Sequence, residues 1–328
     1  MKKVDKILVA TCIILLLQVS ASTLAGAKDE YPDKPIRFIV GLVAGSLTDI
    51  SARAIAKVSS KYLEKPIVVI NMPGGAQVIA YNELANSPAD GHAIALYPTS
   101  FRYLGVHMLE KIPFDVNKLK PFLAYADFRQ MLFVRADSPY ANWKELVAYG
   151  RENPGSIKFG HSARGTVMHL QGVCFFRNAG VQATDVPFKG NIEVISAVLG
   201  GHITGGICDY SGIKEQIRAR QLKAVVVFLE RRHEDLPEVP TSQEIGFGDL
   251  SVISPMFSIC IHRDTPIERV RKIHDALRRT IEDPECITAL NEMGLKSRYI
   301  PAEVVEKHIL SAERICVPIL KELNLLKE

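Results

Sequence analysis

The sequence lacks any strong excess of charge and any regular pairing of cysteines. Its net charge of +4 falls to +2 when the first 27 residues are removed, so neither nucleic acid nor a membrane surface is indicated as a partner. Five cysteines lie beyond residue 27, with no C-x-x-C pair, and they predict neither a disulfide framework nor a zinc site. Each lies in an apolar pattern, so we expect buried free thiols.

Patterns of common catalytic sites are missing as well. The sequence contains no recognisable nucleophile triad, no metal-ligand spacing and no Gly-x-Gly-x-x-Gly loop for a dinucleotide. We therefore predict no catalytic residues, no metal and no cofactor.

Apolar runs long enough to cross a bilayer are absent beyond the N-terminus. The first 27 residues have the three parts of a signal peptide: Lys2, Lys3 and Lys6, an apolar core over residues 7–19, and Ala25-Gly26-Ala27. That core is too short for a comfortable membrane span. The pattern predicts cleavage near Ala27 and an exported, periplasmic protein.

The first unit of the remaining chain is a strand, a loop of small residues and a helix. Phe38-Ile39-Val40 is an apolar strand, Gly41 and Gly45 give the next segment backbone freedom, and Ser46 and Thr48 are typical of a helix start. A helix that begins in this way exposes unpaired N–H groups, which favour an anion such as a carboxylate. An ordinary βα turn of an α/β protein has the same pattern.

Two further strands follow at residues 67–70 and 93–97, with a helix between them. Alternating strands and helices predict a parallel sheet with right-handed connections. Ligands of such sheets bind beyond the carboxyl ends of the strands, so loops 41–48, 71–76 and 98–101 are expected to share one rim.

A second α/β unit repeats this organisation, with its own Gly-containing loop at residues 160–166. The apolar segment 253–261 is expected to return the chain to the first unit, and amphipathic helices follow, the last of which Pro318 is expected to kink or end early. Insertion of one unit into the other predicts a hinged clamshell with its ligand between the lobes. The expected division is a signal peptide (1–27), the first part of lobe 1 (28–134), lobe 2 (135–252) and a return to lobe 1 with the C-terminal helices (253–328).

The order of short motifs resembles the Bug-type periplasmic solute receptors of tripartite tricarboxylate transporters. The similarity runs along nearly the whole chain beyond residue 27. The matching segments are Tyr31-Pro32-Asp33-Lys34-Pro35-Ile36-Arg37, Ala44-Gly45-Ser46-Leu47-Thr48-Asp49, Asn71-Met72-Pro73-Gly74-Gly75, Pro88-Ala89-Asp90-Gly91, Pro98-Thr99-Ser100, Gly165-Thr166-Val167-Met168-His169-Leu170, Val186-Pro187-Phe188-Lys189-Gly190 and Val239-Pro240-Thr241.

The resemblance implies a type II periplasmic-binding-protein (Venus flytrap) fold and a monomeric receptor without catalysis. It implies that a small organic carboxylate is held largely by backbone N–H groups of both lobes and passed to the permease subunits of a membrane transporter. The candidate ligand-binding residues are Leu42, Val43, Ala44, Gly45, Ser46, Thr48, Thr99, Ser100, His161, Ser162, Arg164, Thr166, Lys189 and Asp209.

Some of these residues depart from the family's usual pattern. Leu42 and Val43 make the first loop more apolar, and His161 and Arg164 interrupt a loop that is usually rich in Ser and Gly. Arg164 either pairs with a second acidic group of the ligand or points to solvent, and His169 is expected to be a packed structural residue. The alternatives to a transport receptor are an exported dehydratase-like enzyme on the same fold, which needs an acid or base among the histidines or Asp209, and a ligand sensor.

Overall fold

The computed structural model describes residues 31–327, so the predicted signal peptide lies outside the described residues. The strands are β1 (Ile36–Val40), β2 (Ile67–Asn71), β3 (Ala93–Pro98), β4 (Leu119–Asp127), β5 (Gln130–Arg135), β6 (Ile157–His161), β7 (Ala183–Pro187), β8 (Gly205–Asp209), β9 (Leu222–Val227), β10 (Met256–His262) and β11 (Ile300–Pro301). The α-helices are α1 (Leu47–Ser59), α2 (Val78–Asn86), α3 (Val106–Met108), α4 (Trp143–Glu152), α5 (Val167–Asn178), α6 (Asn191–Leu199), α7 (Tyr210–Arg218), α8 (Asp249–Val252), α9 (Ile267–Ile281), α10 (Pro284–Glu292) and α11 (Ala302–Glu322). Residues Phe101–Gly105 form a π-helical turn, and Gly75–Gln77 and Val116–Lys118 form 3₁₀ turns.

The strands form two sheets, each covered by helices. The first has the order β11-β4-β10-β3-β1-β2, with β1 parallel to both β2 and β3 and β10 antiparallel to β3 and β4. The second has the order β7-β6-β8-β5-β9, with β6 parallel to β7 and β8 and β5 antiparallel to β8 and β9. The parallel β1–β3 and β6–β8 units confirm the predicted α/β class.

The boundary between the sheets differs from the expected division of the chain. Strand β5 pairs with β8 and β9, so residues Gln130–Arg135 belong to the second sheet although we placed residues up to 134 in the first lobe. The apolar run that forms β5 fits a central strand of either sheet, and only its partners distinguish the two. The chain therefore crosses between the lobes at Phe128 and Arg129, directly after β4.

Two short segments connect the lobes side by side. The first contains Phe128, whose N–H donates to the carbonyl of Pro255 in the returning segment (3.0 Å). The ring of Phe128 stacks on Phe257, with 3.9 Å between the ring centroids. In the returning segment, Ser254 Oγ donates to the carbonyl of Phe228 at the end of β9 (2.8 Å). These contacts tie the two connections into one paired hinge.

The last helix packs on both lobes. Near its start Val305 and Ile309 cover Ala124 and Ile300 at the edge of the first sheet. Its C-terminal part instead joins the core of the second lobe, together with Tyr103 and Leu104 from the π-helical turn after β3. The helix residues in that core are Ala312, Cys316, Ile319 and Leu320. Residues 253–328 are therefore not confined to the first lobe.

All five cysteines of the described residues are free and buried, which confirms the prediction of structural thiols. Burial raises the pKa of the Cys174 thiol to about 11 and of the Cys286 thiol to about 12, so neither is a reactive thiolate near neutral pH.

Candidate functional site

The carboxyl ends of the parallel strands in the first sheet lie beside the hinge. Strands β1, β2 and β3 end together at Val40, Asn71 and Pro98. Pro98 is paired with Phe257 at the start of β10, where the chain has just returned from the second lobe. The loops after these three strands therefore open at the hinge end of the first lobe.

The second sheet has the same orientation toward the hinge. Strands β6 and β7 end at His161 and Pro187, which are paired, and β8 ends at Asp209. Asp209 is paired with Gln130, the first residue after the crossing from the first lobe. The loops of both lobes thus face the gap between them, which is where the clamshell hypothesis places the ligand.

The first-lobe loop closes onto the start of α1. Ser46 is the N-cap, and its Oγ accepts from the N–H of Asp49 at 3.3 Å. The N–H of Gly45 donates to Asp49 Oδ2 (2.9 Å), and the side-chain amide of Asn71 donates to Oδ1 of the same carboxylate (2.9 Å). Gly45 has φ of +83°, a conformation that glycine adopts without strain. The Gly45 N–H is consequently used within the protein.

Asp49 is buried and ionised. Burial raises its pKa, but hydrogen bonds from Arg53, the Gly45 N–H and Asn71 outweigh this effect and hold the pKa below its usual value. Asp49 closes the sequence motif Ala44-Gly45-Ser46-Leu47-Thr48-Asp49 but is not among the predicted ligand-binding residues. Its position three residues after a serine N-cap is the signal of a capping box, although Asp replaces the usual Glu or Gln.

The second-lobe loop closes in a closely similar way at the start of α5. Thr166 is the N-cap, and its Oγ1 accepts from the N–H of His169 (3.3 Å). The N–H of Gly165 donates to Nδ1 of the same histidine at 3.1 Å, and Gly165 has φ of +78°. In each lobe, then, the N–H of a glycine with positive φ is bound by the side chain four residues later.

Both helix starts leave two amides for a ligand. The first four N–H groups of an α-helix have no acceptor within it, and each cap satisfies only the third helical residue. Leu47 and Thr48 are the first two residues of α1, and Val167 and Met168 are the first two of α5. These four N–H groups point along helix axes whose dipoles favour an anion.

Several predicted residues lie at the gap with exposed surface. Leu42 and Val43 are 37% and 62% exposed and form an apolar edge of the first loop. Ala44 and Gly45 are exposed beside them, and Ser46 is half-buried. This edge suits the hydrocarbon part of a ligand better than a polar group.

Other predicted residues are occupied within the protein. Thr48 is buried, and its hydroxyl bonds to Ser46 Oγ (3.0 Å). Thr99 is fully buried, and its Oγ1 accepts from the N–H of Met256 (2.9 Å), which ties β3 to the hinge; Ser100 beside it is half-buried. The structure therefore gives the Thr99 hydroxyl a role in holding the hinge and leaves it no surface toward a ligand.

The remaining predicted residues belong to the second lobe. Ser162 Oγ points to Met168 Sδ (3.4 Å), and the side chain of Lys189 is exposed. Asp209 Oδ1 accepts from the N–H of Arg129 in the hinge (2.9 Å), and burial raises its pKa to about 7. Asp209 is thus tied to the first crossing between the lobes.

Two histidines, an aspartate and an arginine gather beside the second-lobe loop. His161 and His169 are buried, with ring centroids 4.5 Å apart. Asp185 Oδ2 lies 3.3 Å from His161 Nε2, 3.5 Å from His169 Nε2 and 3.5 Å from Arg164 Nε. The Arg164 side chain is 60% exposed and that of Asp185 is 24% exposed, so the cluster opens to solvent on the arginine side.

Ionisation differs among the members of this cluster. Burial lowers the pKa of His161, and it lowers the pKa of His169 to about 4, with the neighbouring His161 adding to the effect. Burial raises the pKa of Asp185, but its contacts with His161, His169 and Arg164 outweigh this and lower it. At neutral pH the rings are neutral and the carboxylate is charged. Asp185 is not among the residues predicted from the sequence, because only the pairing of β6 with β7 brings it to the loop.

A cavity of about 480 Å³ lies beside the hinge and contains none of the predicted ligand-binding residues. It is bounded by the hinge residues Arg129 and Ser254 and by the start of α11. There Glu234 of the second lobe pairs with Arg129 of the hinge and with Lys296 of the first lobe. These ion pairs hold the lobes together on the β4 and β9 side of the molecule.

Among residues 31–327, none of the helices has the length and apolar character to cross a membrane. The two sheets, the paired hinge and the facing loops define a two-lobed α/β solute-binding protein. The chain belongs to the family described as the tripartite tricarboxylate transporter family receptor, whose model matches residues 51–325. It is thus a receptor of the kind the motif order indicated.

Individual relatives agree with this assignment. A Cupriavidus necator protein, the UPF0065 protein in the gbd 5' region, is 29% identical over 312 residues, which cover 95% of this chain and 94% of that protein. A TctC solute binding protein from Polaromonas, solved without ligand, has a TM-score of 0.78 and 22% identity, covering 89% of this chain and 99% of that one. An R. palustris protein solved with adipate has a TM-score of 0.73 and 21% identity, covering 91% of this chain and all of that one. The predicted two-lobe fold is confirmed.

Proposed function

We propose that this chain captures a small organic carboxylate between its lobes and delivers it to the permease subunits of a tripartite tricarboxylate-type transporter. Membership of the receptor family supports this role, as does the presence of adipate in the R. palustris relative. The protein acts as a periplasmic monomer after removal of its signal peptide near Ala27, which N-terminal sequencing of the exported protein and its mass in solution test.

The observation that carries the proposal is the pair of helix starts on facing rims. Leu47 and Thr48 in one lobe, and Val167 and Met168 in the other, present N–H groups without helical acceptors. A carboxylate accepts such bonds from both lobes at once, which links ligand capture to lobe closure. Each bond to a charged group contributes about 1.5–3 kcal/mol.

Side chains at the rim select among carboxylates. Leu42 and Val43 offer apolar contact, whereas Arg164 offers a planar guanidinium to a second acidic group. Lys189 adds a second exposed cation on the same lobe. We propose that Thr48, Thr99, His161 and Asp209 do not contact the ligand but hold the loops that form the site in position.

A thermal-shift screen of organic acids, in the presence of EDTA, tests capture directly. A ligand present at about 100 times its dissociation constant stabilises the protein by about 2.7 kcal/mol. We expect such a shift with some mono- or dicarboxylates and none with matched amides. A complete panel without stabilisation contradicts the proposal.

Removal of one backbone N–H provides a sharper test. Leu47 is the first residue of α1, a position that accepts proline, and Ser46 before it is extended (ψ 157°), as a residue before proline prefers. Leu47→Pro and Leu47→Ala both remove the side chain, but only proline removes the N–H. We expect Leu47→Pro to weaken binding of every acid about 10- to 100-fold and Leu47→Ala to bind nearly normally. Equal affinities for the two variants contradict this carboxylate site.

A ligand found in the thermal-shift screen can be used to distinguish a transport receptor from an enzyme, and deletion of the gene distinguishes transport from sensing. Recovery of intact ligand by NMR after long incubation argues against a dehydratase-like activity. In the source cell, deletion that abolishes uptake supports transport, whereas deletion that abolishes only induction of a response supports sensing.

A further inference from the structure

The cluster beside the second-lobe loop is built from three separate elements. His161 ends β6, His169 lies in the first turn of α5, and Asp185 is in the middle of β7. Each offers one ligand atom, and these atoms lie within 4.8 Å of one another. Two nitrogen ligands and one carboxylate are a donor set that divalent zinc and its neighbours bind well.

The hydrogen bond that His161 makes to the backbone leaves its other ring nitrogen, an acceptor, facing a carboxylate oxygen of Asp185, which is also an acceptor. His161 Nδ1 lies 2.9 Å from the carbonyl oxygen of Ala163, so this nitrogen carries the proton of the neutral ring. Nε2 then presents a lone pair to Asp185 Oδ2 at 3.3 Å. Two lone pairs at this distance repel each other unless a proton or a metal cation lies between them. Fixing one ring nitrogen on a backbone carbonyl is how metal-binding histidines are commonly oriented.

His169 contributes a second unsatisfied atom to the same point. Its Nε2 is buried, has no hydrogen-bond partner among the described residues and lies 3.5 Å from Asp185 Oδ2. Bonds of about 2.0–2.1 Å to a tetrahedral ion place neighbouring ligand atoms about 3.3–3.4 Å apart. The distances from Asp185 to the two rings, 3.3 Å and 3.5 Å, match this spacing.

We propose that His161 Nε2, His169 Nε2 and the Asp185 carboxylate bind a divalent transition-metal ion of the Zn²⁺ class. The fourth position opens to solvent on the side of Arg164. The site goes beyond the carboxylate receptor role and stands independently of it.

Metal binding requires a change at His169. Gly165 N–H donates to His169 Nδ1, so the proton of the neutral ring lies on Nε2 in the metal-free protein. Binding through Nε2 moves that proton to Nδ1, which no longer accepts from Gly165. The ion therefore releases the Gly165 N–H and couples to the loop that faces the ligand.

Arg164 competes with the ion for Asp185. Its Nε lies 3.5 Å from Asp185 Oδ2, and its largely exposed side chain is free to turn into solvent when the ion arrives. Removal of this cation is therefore expected to strengthen metal binding. A variant that gains affinity is not explained by misfolding.

Competition with a chromophoric chelator measures Zn²⁺ binding to the purified protein, and the Co²⁺ absorption spectrum reports its coordination. We expect one ion per chain and a tetrahedral Co²⁺ spectrum. Asp185→Asn and His161→Gln are expected to weaken Zn²⁺ binding at least about tenfold. Arg164→Met is expected to strengthen it about two- to fivefold, because the exposed cation that competes for Asp185 is removed.

The exposed His202, outside the cluster, provides the matched control, and His202→Ala is expected to bind as the wild type does. Loss of the Gly165 amide's protection from hydrogen exchange on adding Zn²⁺ is the further expected result. Wild-type protein that binds no Zn²⁺ at micromolar concentration overturns the proposal, as does unchanged affinity in Asp185→Asn. Because the carboxylate screen is run in EDTA, the two proposals fail separately.

Discussion

The loops that begin α1 and α5 share one construction but differ in the chemistry that closes them. Each has a glycine with positive φ, a hydroxyl N-cap and a side chain four residues after the glycine that accepts its N–H. In the first lobe that side chain is Asp49, an ionised carboxylate held by Arg53 and Asn71. In the second it is His169, a neutral ring.

The two loops therefore share a backbone construction but differ in how easily they are altered. The carboxylate of Asp49 is fully bonded within the first loop, which makes that loop a rigid frame for backbone donors. The His169 ring leaves Nε2 unsatisfied and shares Asp185 with His161 and Arg164. The second loop is therefore the one that protons, cations and ligand substituents can alter.

Loss of the first-lobe carboxylate is expected to have the largest effect. Asp49→Ala removes the acceptor of the Gly45 N–H and one of the acceptors of the Asn71 amide and of Arg53, and a hydrogen bond to a charged group contributes about 1.5–3 kcal/mol. We expect the free energy of unfolding to fall by about 2–4 kcal/mol, measured by urea denaturation, because water reaches the half-exposed Arg53 side chain. Asp275→Ala, at an exposed carboxylate of α9, should change it by less than about 0.5 kcal/mol. Similar losses in both variants would contradict the assignment.

The paired glycines test whether the two loops are equally crowded. A Cβ at Gly45 would meet nothing within 4 Å, whereas a Cβ at Gly165 would overlap Sδ of Met108, which packs against the core of the second lobe. Gly45→Ala is expected to cost about 1–2 kcal/mol through its positive φ alone. Gly165→Ala is expected to cost about 1–3 kcal/mol, because the flexible Met108 side chain must also shift to make room for the new methyl group.

Met108→Ala provides the control for this pair. It should recover part of the loss in Gly165→Ala and none of the loss in Gly45→Ala. Equal costs for the two glycine substitutions would show that the contact between Gly165 and Met108 has no energetic consequence.

Acidification is expected to loosen only the second loop. The folded-state pKa of His169, about 4, lies below the usual value of 6.5, so the unfolded state binds the proton first and stability falls as pH drops from about 6.5 to 4. The maximum slope is about 1.4 kcal/mol per pH unit for this residue. Asp49, whose pKa is lowered from 3.8, keeps its contribution throughout this range and loses it only below.

NMR titration checks this difference. The Gly165 amide should shift with an apparent pKa near 4 because protonated Nδ1 no longer accepts its N–H, while the Gly45 amide stays unchanged. A Gly45 shift over the same range, or a flat Gly165 profile, would contradict the comparison.

Local pattern was enough to predict the strand–loop–helix units and both facing loops. In each case the apolar strand, the flexible glycine and the polar N-cap lie within about ten residues of one another, and the structure has these elements where the sequence predicts them. Asp185 was missed because 24 residues separate it from His161, and the two meet only through the parallel pairing of β6 and β7.

Tertiary context overrode local pattern at two other places. Strand β5 was assigned to the wrong sheet because the apolar run Met131 to Val134 suits either one. Pro318 was predicted to kink the last helix or to end it early, and the helix does not end early, because α11 continues to Glu322. Burial of Ile319 and Leu320 in the second core offsets the hydrogen bond that proline cannot make.

The smallest expected effect concerns the apolar edge of the first loop. Val43 is 62% exposed, so Val43→Ser should leave the free energy of unfolding within about 0.5 kcal/mol of the wild type. If this edge covers the hydrocarbon part of the ligand, the variant loses affinity for long-chain acids more than for short ones. Each methylene removed from contact is worth about 0.8 kcal/mol, or about fourfold in affinity.

Calorimetric titration with acids of increasing chain length measures this ranking. Ile267→Ser is the control, because Ile267 is 55% exposed at the start of α9, beyond the end of β10 that lies away from the hinge. It should leave the ranking unchanged. If the chain-length dependence is the same in Val43→Ser and Ile267→Ser, the first-lobe loop contributes only its backbone donors to binding. Selectivity among acids then depends on the second-lobe loop.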